Sequence, residues 1–117
     1  MTIDALQNLK LPIEIPLGEL TKLCEDREIA ELYLFGSVLR DDFRPDSDID
    51  IMVQFHPDAR PRFSTLDRIE SELQKLFDRD IDLVTRRGIE SSRNYLRRHE
   101  ILSSARLIYE SRSTVST

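Results

Sequence analysis

Apolar positions recur along the chain with two different periods, and each change of period marks an element. Residues 1–16 contain Pro12 and Pro16 with short apolar pieces between them, which reads as an irregular or partly extended entry segment. From Leu17 to about Asp26 the residues Leu17, Leu20, Leu23 and Cys24 return at helical spacing, behind a proline suited to a helix start. Ile29 to Phe35 alternates instead. Ala30, Leu32 and Leu34 fall on one side and Glu31, Tyr33 and Phe35 on the other, as a strand places them, and Gly36 ends it. Residues 38–47 predict a short helical turn running into a polar loop.

A second strand is expected from Asp48 to Phe55, with Ile49, Ile51, Val53 and Phe55 on one face and Asp48, Asp50, Met52 and Gln54 on the other. After a break at Pro57 and Pro61, the stripe Leu66, Ile69, Leu73, Leu76 and Phe77 predicts a helix. A third strand runs from about Asp80 to Thr85, with Ile81 and Leu83 opposed to Asp82 and Val84. Gly88 to Glu100 reads as one helix, and Leu102 to Tyr109 as a short helix or an edge strand. Ser111 to Thr117 is polar apart from Val115 and reads as a loose tail. The pattern predicts an α+β chain, a small mixed β-sheet packed against helices, with one domain over residues 17–110.

Composition narrows the function. With 117 residues, 39% hydrophobic and 33% charged, a single soluble unit is expected. A formal net charge of −5 argues against a broad grip on nucleic acid, so no polymeric nucleic acid partner is expected. No stretch approaches the roughly 20 apolar residues of a membrane span. Met1 to Pro12 lacks the pattern of a signal peptide, so the cytoplasm is the expected compartment. Cys24, the single cysteine, sits beside Leu20 and Leu23 and reads as a semi-buried structural thiol.

The candidate chemistry lies at Gly36-Ser37, Asp48, Asp50 and Asp82. Asp48 and Asp50 are two residues apart on a strand, so both project from one face while Ile49 and Ile51 anchor the other. Asp82 has a matching setting on another strand, and a neighbouring strand could bring it beside the pair. Clustered carboxylates repel one another unless a cation neutralises them, and hard oxygen ligands suit Mg²⁺. A glycine at a strand end lets the backbone approach a phosphate, Ser37 adds a hydroxyl, and amides from about Val38 onward open a helical turn. Arg40, and more weakly Arg44, could neutralise triphosphate charge. Singly, each signal reads as ordinary surface or turn chemistry. Together they share no structural reason to coexist.

Leu34-Phe35-Gly36-Ser37, Arg40 and Ser47-Asp48-Ile49-Asp50-Ile51 resemble the signature of the DNA polymerase beta superfamily, most closely its minimal nucleotidyltransferase (MNT) group. Asp80-Ile81-Asp82-Leu83-Val84-Thr85 resembles that group's third-carboxylate strand. Asp41 departs from the pattern, since many relatives place glycine there.

The resemblance implies a nucleotidyltransferase fold in which Asp48, Asp50 and Asp82 are catalytic and hold two Mg²⁺ ions. Gly36, Ser37, Arg40 and Ser47 would bind the nucleotide. The reaction implied is attack on the α-phosphorus of ATP with loss of pyrophosphate. MNT proteins commonly act as antitoxins of HEPN ribonuclease toxins, so the implied function is transfer of AMP to a tyrosine of such a partner within a hetero-oligomer. The short chain agrees with this expectation, because a partner or a second copy would have to complete the acceptor side. The alternatives are an antitoxin that neutralises by binding alone and a transferase acting on a small molecule. Arg93 and His99 imitate the ribonuclease motif of the toxins but belong here to an alternating strand and helix sequence. The run Arg86, Arg87, Arg93, Arg97, Arg98 reads first as a solvated face, the alternative being a contact with nucleotide, RNA or an acidic partner surface. His56 is expected to be exposed.

Overall fold

The computed structural model describes residues 13–40 and 43–111. Asp41 and the sequence expectations for residues 1–12 and 112–117 fall outside the described residues. Among those described, the order is α1 (Leu17–Asp26), β1 (Ile29–Phe35), a 3-10 turn (Gly36–Leu39), β2 (Ile49–Phe55), α2 (Phe63–Phe77), β3 (Ile81–Thr85), α3 (Arg86–Glu90), α4 (Tyr95–Ser104) and β4 (Arg106–Glu110). The four strands form one mixed sheet ordered β3-β2-β1-β4. β1 runs antiparallel to both β2 and β4. β2 and β3 are parallel, and the crossover that parallel strands require is supplied by α2.

The sheet is covered on both faces. On one, Leu32, Leu34, Ile49, Ile51, Val53 and Ile81 meet Leu20 and Cys24 of α1 and Ile69 and Leu73 of α2. Cys24 is fully buried, and burial pushes its thiol up to about 12, so it packs as a small apolar group. Arg27 at the end of α1 donates from Nε and Nη2 to Glu72 of α2 at 3.0 and 2.9 Å, tying the two helices together. On the other face Phe35 and Met52 pack beneath Ile89 of α3 and Ile101 of α4.

Several local expectations change. Ala30 does not share a face with Leu32 and Leu34. A register shift between Ile29 and Glu31 turns Ile29 into the main core instead, as a bulge does. The expected helix over Gly88 to Glu100 is two helices. Ser91 Oγ donates back to the carbonyl of Arg87 at 2.8 Å, and Asn94 Oδ1 accepts from Arg97 N at 3.1 Å, so one helix ends and another is capped within four residues. Leu102 to Tyr109 is both alternatives in turn: α4 continues to Ser104 and β4 begins at Arg106. Ser111 is no part of a loose tail, because it is buried and its N–H donates to the carbonyl of Ala30 at 2.8 Å. At the other end, residues 13–16 are irregular, and Ile13 and Ile15 pack against the main core. No helix among the described residues is long and apolar enough to cross a membrane.

Candidate active site

Three strand ends meet at one point. Phe35, the last residue of β1, pairs with Asp50 of β2, and Asp50 pairs in turn with Asp82 of β3. Strand alternation sends Ile49, Ile51 and Ile81 into the main core and leaves Asp50 and Asp82 on the opposite face. Their carboxyl groups stand within hydrogen-bonding reach of each other. Asp48 lies one residue before β2, exposed, with its charge felt at Asp50.

Asp50 is half-buried, and desolvation is the main reason its carboxyl is held above the ordinary carboxylate range. The charges of Asp82 and then Asp48 push the same way, while a hydrogen bond from the backbone N–H of Ser37 pulls it down. Gly36 makes this position available. Its φ is +76°, and a Cβ placed there would land on Oδ2 of Asp50 and within 3.1 Å of its Cγ. The backbone at Gly36 therefore passes close against the Asp50 carboxylate.

A cavity of about 470 Å³ opens over the two aspartates, within the usual range for a small-molecule site. Phe35, Gly36, Leu39, Arg40, Asp50 and Asp82 form its sheet side. Arg97, Glu100, Ile101 and Ser104 of α4, with Arg106 of β4, form the other. Arg40 is thus brought to the aspartates, whereas Ser37 and Asp48 flank the cavity without lining it. Ser47 lies elsewhere. Its Oγ accepts from Arg44 N at 3.0 Å, and it lines a separate depression with Asp46 and Arg79.

The sequence pointed to Arg97 only as one member of the basic run, and Glu100, Ser104 and Arg106 were missed. The signal for the first three was present: residues 97, 100 and 104 lie at helical spacing on one face of α4. The arginine run is only partly a solvated face. Arg86 donates to Tyr33 Oη at 3.0 Å and to Glu90 at 3.1 Å, and Tyr33 donates to Glu31 at 2.6 Å. Arg98 reaches the carbonyl of Ser92 at 3.0 Å and braces the link between α3 and α4. Arg93 and His99 are exposed, and His56 is half-buried rather than exposed.

No three His, Cys, Asp or Glu side chains among the described residues form a ready-made metal cage. Mg²⁺ does not require one. It takes one or two carboxylates together with water and substrate phosphates, and a close, mutually repelling pair such as Asp50 and Asp82 is a fitting donor set.

The comparisons agree with this architecture. Two Methanocaldococcus jannaschii proteins assigned provisionally as protein adenylyltransferases are similar. One is 34% identical over 60% of this chain and 71% of its own length, the other 31% identical over 58% and 77%. A solved structure described provisionally as a minimal nucleotidyltransferase shares 25% identity with a TM-score of 0.61, covering 91% of this chain and 95% of that one. The complex of a tri-AMPylated Shewanella oneidensis HEPN toxin with an MNT antitoxin contains a chain of like fold, at 22% identity and a TM-score of 0.55 over 84% of this chain and 72% of that one. A toxin-antitoxin structure with AMP-PNP contains another, at 22% identity and a TM-score of 0.62, over 86% and 77%. Residues 19–108 match the nucleotidyltransferase domain, and the chain belongs to that family.

Proposed function

We propose that the protein transfers AMP from ATP to a tyrosine of a partner HEPN ribonuclease and thereby neutralises it. The observation that carries this reading is the pairing of Asp50 with Asp82 on one rung of the sheet, at the floor of a cavity that also holds Arg40. Family membership supports nucleotidyl transfer, and the toxin-antitoxin complexes among the proteins of like fold support the choice of acceptor.

Each residue has a role in this scheme. Asp50 and Asp82, with Asp48 at the strand entrance, would hold two Mg²⁺ ions between the chain and the triphosphate. When bound, the metal supplies charge to the α-phosphate and acidifies the attacking hydroxyl. Gly36 and the Ser37 amide fix the Asp50 carboxylate, and the guanidinium of Arg40 meets the leaving pyrophosphate beside the Ser37 hydroxyl. Asp82, more exposed than Asp50, faces the acceptor and takes the tyrosine proton as the new O–P bond forms and the bond to pyrophosphate breaks. Ser47, whose Oγ accepts from Arg44 N, holds the loop that leads into Asp48.

Incubation with ATP, Mg²⁺ and a candidate HEPN partner tests the reaction. The expected result is an increase of the partner's mass in AMP steps, lost when Asp48 and Asp50 are both replaced by asparagine. Neutralisation that survives this double substitution, with no mass gain on the partner, would leave binding alone as the mechanism.

A further inference from the structure

The segment that delivers Asp48 and Asp50 to the site is held by a side chain outside the cavity. Residues 44–47 form a closed turn in which Arg44 N donates to Ser47 Oγ at 3.0 Å and Ser47 N donates to the carbonyl of Arg44 at 3.0 Å. The same Arg44 and Ser47 carbonyls accept from Nη1 of Arg79, each at 3.1 Å. The Arg79 guanidinium also lies over the ring of Phe43, 4.6 Å from its centroid. Next to Arg79, the carbonyl of Asp80 accepts from Ile49 N at 3.0 Å. One short stretch before β3 therefore grips the whole approach to β2, from Phe43 to Ile49.

Arg79 and Asp82 are three residues apart, so the clamp joins the strand that carries Asp82 to the loop that carries Asp48. Arg79 itself lines a depression with Pro45, Asp46 and Asp80 and does not line the cavity of Asp50 and Asp82. Its reach is to backbone carbonyls and an aromatic face at once, a combination in which a planar guanidinium offers its edge and its face together and a compact ammonium fits less well.

We propose that Arg79 is a positioning residue for nucleotidyl transfer, setting the spacing of Asp48 and Asp50 against Asp82 without touching nucleotide or acceptor. This inference rests on the transfer reading of the same site. Loosening the clamp leaves every carboxylate present but lets the Asp48 loop drift. The loss should therefore appear in carboxylate geometry and turnover rather than in capture of the nucleotide.

The experiment compares wild type with Arg79→Lys and Arg79→Ala in the full chain, with Arg68→Ala, an exposed change on α2, as control. Mn²⁺ affinity is read by electron paramagnetic resonance in the presence of ATP, and kcat and KM for ATP are read with the HEPN acceptor. Both Arg79 variants should weaken Mn²⁺ binding and lower kcat by about 10-fold, with the KM for ATP within about 2-fold of wild type. Wild-type Mn²⁺ affinity and kcat in both variants would overturn the proposal. So would a loss confined to the KM for ATP. If Arg79→Ala fails to fold, as circular dichroism would reveal, Arg79→Lys carries the comparison, and Phe43→Leu removes the stacking surface while keeping the cation. If wild type transfers no AMP, the functional reading fails, while the Mn²⁺ titration still decides whether Arg79 orders the carboxylates.

Discussion

Asp50 and Asp82 occupy the same rung of the parallel ladder between β2 and β3, close enough for one carboxyl to hydrogen-bond the other. Burial, then the charges of Asp82 and Asp48, hold the Asp50 carboxyl above the ordinary carboxylate range. A raised carboxylate binds a proton in the folded chain that the unfolded chain has already lost. Its contribution to stability therefore falls as pH rises from the unfolded to the folded value, and the cost persists above that window. Asp50→Asn removes the charge while keeping an oxygen for the Ser37 amide. The metal-free variant should melt higher than wild type at pH 7, with the gap closing below roughly pH 4, near the unfolded carboxylate value. AMP transfer should fall by at least about 100-fold, roughly 2.7 kcal/mol in barrier. Thermal melts in chelator across this pH range decide the matter, and a lower melting temperature at pH 7 would sink it.

Gly36 meets Asp50 in a different way. At φ +76°, any L side chain is strained by about 1–2 kcal/mol, and here the added Cβ would also clash with Asp50 Oδ2. Gly36→Ala should lower stability by that amount or more and displace the carboxylate, so that transfer is lost even in the folded fraction. Gly18, in the first turn of α1 with no heavy atom near its would-be Cβ, offers the contrast. Gly18→Ala should be neutral or stabilising by up to about 1 kcal/mol, as urea titration would show. Equal losses at the two glycines would contradict the assigned role of Gly36.

Much of this site was legible because a strand has a period of two residues. The alternation of Ile49 and Ile51 with Asp50 and Met52 separates a core face from a chemical face by periodicity alone. What alternation could not reveal was that the second face is also covered. Met52 is buried beneath α3 and α4, yet α4 begins with exposed Tyr95 and Leu96 and is anchored chiefly by Ile101, a poor stripe to read as a packing helix. The break between the two helices depends on bonds from Ser91 and Asn94 side chains to backbone, which compete with helical periodicity rather than alter it. Ser47 shows the reverse limit. The resemblance implied a nucleotide contact for it, while its bond to Arg44 N, which the alternation does not encode, ties it to the loop before β2.

Asp78 closes α2 in the left-handed region, at φ 54° and ψ 44°, a conformation that glycine adopts without strain. Its N–H donates to the carbonyl of Gln74, so the cap depends on the backbone rather than on the side chain. Asp78→Gly should raise stability by about 0.5–1 kcal/mol, the relief of strain being partly offset by a freer unfolded chain. The effect should be confined to unfolding free energy, with transfer unchanged. A denaturant midpoint at or below that of wild type would show that the aspartate side chain contributes more than its strain costs.

Arg97 and Glu100 are one turn apart on α4 and line the same cavity as Asp50, Asp82 and Arg40. A triphosphate placed against Arg40 and the carboxylates has α4 as the opposite wall, and a guanidinium there can bind phosphate oxygens through a charge-assisted fork. Arg97→Ala should therefore weaken ATP binding by roughly 10-fold, the equivalent of about 1.4 kcal/mol for a charged hydrogen bond. Adenosine, lacking phosphate, should bind both proteins alike, and Arg97→Lys should recover part of the loss because the charge remains. Arg93→Ala, on the exposed link between α3 and α4, controls for the general loss of a cation. Calorimetric titration with ATP and adenosine separates the alternatives. An unchanged ATP affinity together with a raised KM for the acceptor would move Arg97 from the nucleotide to the partner side of the cavity, and with it the direction from which the acceptor hydroxyl arrives.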